Sequence, residues 1–162
     1  MPRVASLLCL VSLGLLASCS AFDMRWASMP TPPAANPSAM AWGKWEGTWQ
    51  SDATDYTGHI QAIIMPTTQT IMDKQTVQQY AASFRMRWME WGYDEYTVTL
   101  NATTLADGRV HFEGAKDLGY FKGGILRFDG FIYPDKDELY CDYSNDKDSG
   151  TYKMRRIILE NQ

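Results

Sequence analysis

The sequence contains few of the residues from which metal sites and nucleophilic catalytic centres are built. Its 162 residues include only 2 histidines and 3 cysteines. Basic side chains are also scarce, with 15 Lys and Arg against 19 Asp and Glu and a formal net charge of -4. Proteins that bind nucleic acid concentrate Lys and Arg on one surface. The charge balance therefore argues against a nucleic-acid partner.

The few candidate reactive residues stand in structural rather than catalytic patterns. His59 and His111 each lie next to apolar residues in alternating segments, which favours solvated histidines on the outside of strands. The chain has no H-x-x-x-H or C-x-x-C pair for zinc and no G-x-S-x-G elbow for a nucleophilic serine. Cys141 alternates with Leu139 and Tyr143, so we expect a buried thiol. The sequence predicts no metal, no cofactor and no enzymatic activity.

The amino-terminal segment carries the clearest motif. Arg3 precedes an apolar run from Val4 to Leu16, as in the hydrophobic region of a secretory signal peptide. That run is shorter than the roughly 20 residues that a membrane-spanning helix needs. Residues 16–19, Leu-Ala-Ser-Cys, resemble the lipobox of bacterial lipoproteins. The resemblance implies cleavage after residue 18 and acylation of Cys19, and an ordinary cleaved signal peptide is the alternative.

Acylation of Cys19 predicts a protein held at a membrane by lipid. One acyl chain holds a protein weakly, whereas two or three hold it stably. Ser20, rather than Asp, follows the cysteine. By analogy with bacterial lipoproteins this favours the outer membrane over the inner one, with the protein facing the periplasm.

A proline-rich segment separates this motif from the rest of the chain. Residues 20–41 are mostly Ala, Ser, Pro and Asn without apolar periodicity, and they contain Pro30, Pro32, Pro33 and Pro37. This composition predicts an extended tether. We therefore divide the chain into a signal peptide (1–18), the lipidated cysteine with its tether (19–41) and a folded domain (42–162).

Beyond residue 42 the apolar residues recur with a period of two. Tyr80, Ala82, Phe84, Met86 and Trp88 alternate with mostly polar neighbours, and six further segments show the same pattern. A weaker strand is predicted from Tyr56 to Ile64, and residues 70–79 fit a short helix, a loop or a strand edge. About eight strands with short turns predict an all-β, antiparallel up-and-down barrel. A β-sandwich is the alternative.

The first predicted strand resembles that of lipocalin-like (calycin) proteins. These open with a G-x-W motif, which occurs here twice in the run WGKWEGTW, ending at Trp45 and at Trp49. Calycins also carry an arginine near the end of the last strand. Arg156 has the inward parity of Tyr152 and Met154. The resemblance implies that Arg156 packs over Trp45 or Trp49 and closes one end of the barrel.

The inward parity of the strands predicts an aromatic barrel interior. Its candidate ligand-binding residues are Tyr80, Phe84, Met86, Tyr96, Phe128 and Tyr143. A barrel of eight strands either is filled by its side chains or holds one small ligand. One hypothesis is therefore an envelope lipoprotein that carries a small apolar molecule. The alternative is a structural or protein-interaction lipoprotein with a filled barrel.

Overall fold

The computed structural model describes residues 20–31, 41–72, 75–89 and 92–158. The predicted signal peptide, Cys19 and residues 32–40 of the predicted tether lie outside these ranges.

Eight antiparallel strands form a closed barrel. Each strand pairs with the next along the chain, and the last pairs with the first. The strands are β1 (Gly43–Ser51), β2 (Thr57–Met72), β3 (Gln75–Met89), β4 (Gly92–Thr104), β5 (Val110–Asp117), β6 (Ile125–Tyr133), β7 (Glu138–Ser144) and β8 (Ser149–Arg156). The predicted up-and-down barrel is confirmed, and the sandwich alternative is wrong because one continuous sheet closes on itself.

Closure brings the backbones of β1 and β8 unusually close. A Cβ atom added to Gly47 would lie 1.9 Å from the carbonyl oxygen of Lys153. One built on Gly150 would lie 1.9 Å from the carbonyl oxygen of Gln50. Only glycine fits at such an approach. The glycine of the second G-x-W motif therefore has a role in closing the barrel.

Two ends of the barrel can be distinguished by their connections. At the open end β1, β3, β5 and β7 finish and β2, β4, β6 and β8 begin, and the other strand termini lie at the closed end. The larger of two hydrophobic clusters among the described residues runs between the ends along the inward side chains. At mid-height Phe84 and Phe128 stack with ring centroids 5.7 Å apart. These rings fill the barrel there.

The β2–β3 hairpin is longer than the sequence analysis predicted. β2 continues from Thr57 to Met72, well past the expected end at Ile64, and pairs with β3 as far as Met72 and Gln75. Residues 70–79 therefore lie largely in two strands, which excludes the helical alternative for them. The β-branched residues of this stretch suit paired strands better than a helix.

An α-helix lies where the sequence analysis predicted an extended tether. The helix α1 (Ala21–Ser28) begins with a capping box, in which Ser20 and Asp23 each accept the other's backbone N–H. Phe22 is only 1% exposed and packs with Met29 against Ile63 on the outside of the barrel. The prediction was wrong for these residues because it weighed the composition of the whole segment. The spacing of Phe22 and Trp26, whose rings stack 5.7 Å apart, marks one helical face.

Candidate functional site

A cavity of about 710 Å³ occupies the open end of the barrel. This volume falls within the range of roughly 300–1,000 Å³ that small-molecule sites span. Its apolar wall comes from six strands and from the β5–β6 connection, and it consists of Trp49, Met86, Trp88, Tyr96, Leu118, Phe121, Leu126, Tyr143 and Tyr152. Exposed residues such as Tyr56 and Lys122 also line it, so the cavity reaches the surface.

Two tyrosines and a methionine form the floor of the cavity. The hydroxyls of Tyr96 and Tyr152 lie 2.8 Å apart, and both also approach the sulfur of Met86, at 3.5 and 3.2 Å. Burial raises the pKa of Tyr96 and of Tyr152. Both hydroxyls therefore stay neutral at physiological pH and satisfy each other. The floor carries no charge and does not require a polar ligand group.

The polar wall is organised by Asp148. Its carboxylate accepts hydrogen bonds from Ser51 Oγ at 2.7 Å and from Tyr143 Oη at 2.9 Å. Burial, with the nearby Asp148 carboxylate, raises the pKa of Tyr143. These contacts fix the β7–β8 hairpin against β1. Asp94 and Glu95 and the surface residues Lys122 and Lys147 also line the cavity.

The opposite end is closed by an arginine stacked on a tryptophan. The guanidinium of Arg156 lies 4.8 Å from the ring of Trp45, and its Nε lies 3.2 Å from the Asp137 carboxylate. Trp45 donates from Nε1 to the carbonyl oxygen of Ala41 at 3.0 Å. Burial lowers the pKa of Arg156, and the Asp137 charge opposes that effect. This arrangement seals the closed end.

The residues singled out from the sequence fall at three heights in the barrel. Met86, Tyr96 and Tyr143 line the cavity. Phe84 and Phe128 pack beneath it, each in ring contact with Tyr96 and Tyr152. The closed end holds the remaining candidate ligand residue, Tyr80. Burial raises the pKa of Tyr80, and the Arg156 charge only partly opposes this effect.

Trp49 does not share the position of Trp45. It lies at the open end, where its Nε1 donates to the carbonyl oxygen of Arg87 at 3.1 Å and its ring meets Trp88 edge-on. Trp88, expected inside the barrel from its parity, is 49% exposed because it stands at the mouth of the cavity. Arg156 therefore packs over Trp45 and not over Trp49, the other predicted partner.

Several cavity residues were not singled out as ligand contacts. Tyr152 and Leu126 have inward parity on β8 and β6, so the alternating pattern was sufficient to find them. Leu118 and Phe121 lie in the β5–β6 connection, which contains a short 3₁₀ turn, Tyr120–Lys122. No periodicity marks residues in such a turn.

A second concavity, of about 690 Å³, lies on the outer wall. Its lining includes the carboxylates of Glu113, Asp129 and Asp142 and the guanidinium of Arg127. Within the described ranges, no three His, Cys, Asp or Glu side chains are grouped so that they could hold a metal ion. Cys141 is buried, and burial raises the pKa of its thiol. A buried, protonated thiol is a poor nucleophile.

Comparison with known proteins returned no matching family model, no matching curated protein and no matching solved structure. Among the described residues, none of the helices is both long and apolar enough to cross a bilayer.

Proposed function

We propose that this protein is a lipid-anchored barrel of the bacterial cell envelope that binds a small apolar molecule in its open-end cavity. The cavity carries the binding part of the proposal. The lipobox-like sequence at residues 16–19 supports the anchor at Cys19, with the domain facing the periplasm and the outer membrane favoured.

The chemistry of the cavity favours an extended apolar ligand with a polar end. Each ligand methylene that leaves water for the apolar wall contributes about 0.8 kcal/mol. The floor hydroxyls of Tyr96 and Tyr152 already pair with each other, so the apolar part of a ligand meets no unpaired polar group there. Lys122, Lys147 and Asp148 lie nearer the mouth. They suit a polar head that remains close to water.

A titration with a fluorescent polyene fatty acid tests ligand binding. Leu118→Trp places a larger side chain on the cavity wall and should weaken binding at least tenfold. Ile125→Trp adds the same ring at an exposed position in β6, 45% accessible to solvent, and should leave affinity within twofold. Equal affinity in both variants, or no binding by the unaltered protein, would contradict the proposal.

Labelling with radioactive palmitate in a bacterial host tests the anchor separately. The unaltered chain should incorporate label, and Cys19→Ala should not. Incorporation that persists in Cys19→Ala would remove this part of the proposal without affecting the binding part.

The alternative function is a structural or protein-interaction lipoprotein. The aromatic packing of Phe84 and Phe128 favours this alternative for the part of the barrel nearer the closed end, which is filled. The cavity above them favours ligand binding. Failure of the fatty-acid titration, with the anchor intact, would support the alternative.

A further inference from the structure

Exposed aromatic side chains cluster at the open end of the barrel. Tyr56, Trp88 and Phe121 line the cavity there, Tyr120 is in ring contact with Phe121, and Tyr93 lies near the start of β4 with its ring 5.0 Å from the Arg85 guanidinium. We call these five residues the open-end rim. Tyr120 and Phe121 are 87% and 89% exposed. The other exposed large apolar side chains among the described residues are Met24, Met65, Ile125 and Tyr140. Single exposed apolar residues are ordinary. A group of them at one end of a barrel indicates a surface that binds a protein, a membrane or a ligand.

The helix α1 begins at the same end of the barrel. Ser20 donates from Oγ to Glu95 Oε1 at 3.1 Å, and Lys122 of the rim turn donates to Asp94 Oδ1 at 3.0 Å. Asp94 and Glu95 are consecutive residues at the start of β4. The first described residue of the chain and the turn that carries Tyr120 and Phe121 are therefore held by neighbouring residues of one strand.

Ion pairs, hydrogen bonds and apolar contacts hold the first turn of α1 against the barrel wall. The Arg85 guanidinium pairs with Asp23 at 2.5 Å and with Glu95 at 2.7 Å, and it also donates to Ser20 Oγ. It lies 4.4 Å from the Phe22 ring, and Arg25 donates to Ser83 at 3.1 Å. Apolar burial, ion pairs and the helix cap all converge on the first turn. The start of α1 is thus attached to the wall of β3 and β4.

We propose that the open end of the barrel docks on the surface of the bilayer, with the open-end rim in the lipid interface. This inference rests on the anchor in the proposed function. Cys19 is one peptide unit before Ser20, and consecutive Cα atoms are about 3.8 Å apart. An acylated Cys19 therefore brings the lipid to the end of the barrel that carries the rim. Tyr, Trp and Phe are the side chains that favour the membrane interface.

Docking in this orientation gives the cavity a direct path to lipid. The mouth would open toward the headgroups, so an apolar ligand would exchange between bilayer and barrel with little passage through water. The closed end, sealed by Arg156 and Trp45, would point away from the membrane. The docking surface depends on the rim and the anchor alone, whatever the cavity holds.

Nitroxide labels on the acylated protein test this orientation. The protein is placed in vesicles of phosphatidylethanolamine and phosphatidylglycerol, with a label either at Tyr120→Cys in the rim or at Asp135→Cys in the exposed turn of the closed end. The ratio of oxygen accessibility to nickel-chelate accessibility should be several-fold higher at residue 120. Adding Phe121→Ser should lower the ratio at residue 120, whereas Tyr140→Ser on the outer wall should not.

Equal or reversed ratios at the two labelled positions would overturn the proposal. So would a rim label that stays in water, a result that would assign the rim to a protein partner. Failure to recover the protein with the vesicles would overturn the anchor and this inference together. Fatty-acid binding in solution does not depend on any of these results, so a failure of the cavity is distinguishable from a failure of docking.

Discussion

Removing the guanidinium of Arg156 should destabilise the barrel more than any comparable change at its closed end. The side chain of Arg156 is 6% exposed and lies over Trp45. A desolvated cation–π contact contributes about 2 kcal/mol. The Asp137 carboxylate is partly exposed, so water can solvate it after truncation and the lost ion pair adds only about 1 kcal/mol.

These contributions give an expected loss of about 2–3 kcal/mol for Arg156→Ala, since release of a buried charge offsets part of the sum. For a domain of this size each kcal/mol corresponds to a few degrees, so thermal unfolding should shift downward by about 5–10 °C. Circular dichroism in the far ultraviolet, with a parallel urea titration, measures both quantities. Arg156→Met keeps much of the apolar stem and should lose less.

The adjacent residue supplies a matched control. Arg155 is 79% exposed and pairs with Glu138 at 3.0 Å. Exposed ion pairs contribute between about 0 and 1 kcal/mol, so Arg155→Ala should change stability little. If Arg156→Ala were no more destabilising than Arg155→Ala, the stacked arginine would not hold the closed end.

Three further outcomes follow from particular contacts. Gly47→Ala should lower the free energy of unfolding in urea by about 3 kcal/mol or more, because its Cβ would strike the backbone of Lys153. Gly92→Ala is the control and should cost little, since a Cβ there meets nothing within 4 Å. Equal costs would contradict the close approach of β1 and β8. The Arg85 ion pair lowers the pKa of Asp23 from 3.8 to about 2. The stabilisation from this carboxylate is present above pH 4 and is lost as the pH falls toward 2. Proteolysis of α1 should therefore rise as the pH is lowered from 4 to 2. Asp23→Asn should remove this pH dependence. Finally, Cys141 should resist maleimide until the barrel unfolds, and rapid labelling of the native protein would show that the thiol is accessible.

Alternation along the strands was sufficient to predict the barrel and its inward side chains. A period of two separates the inner face of a sheet from the outer one, and closure follows when eight such strands are joined by short turns. It does not fix the height of a residue along the barrel axis. Tyr80 and Met86 share one face of β3 yet are six residues apart, roughly 20 Å at 3.3 Å per residue. One therefore lies at the closed end and the other lines the cavity.

The same limit applies to the two tryptophans of the repeated G-x-W motif. Trp45 and Trp49 are four residues apart on β1 and face the same way. Pairing of Trp45 with Arg156 in the β1–β8 register decides which of them the arginine covers. That register depends on contacts between distant parts of the chain, which a strand pattern alone does not contain.

The helix α1 was missed for a different reason. Eight residues are too few to form a stable helix in isolation, and the prolines that follow dominate the composition of the segment. Its stability comes from the burial of Phe22 and from the Arg85 contacts on the barrel wall. Phe22 and Arg85 are more than 60 residues apart in the sequence. Neither the helix segment nor the strand segment alone shows that they are in contact.

Methyl NMR of the protein titrated with a long-chain fatty acid would locate the bound ligand in the barrel. We expect shifts at Met86, Leu118 and Leu126, which line the open-end cavity, and no shifts at the methyl groups of Ile64 and Leu139 in the packed closed end. Shifts confined to outer-wall residues such as Ile125, or no shifts at saturating fatty acid, would contradict a ligand site inside the barrel.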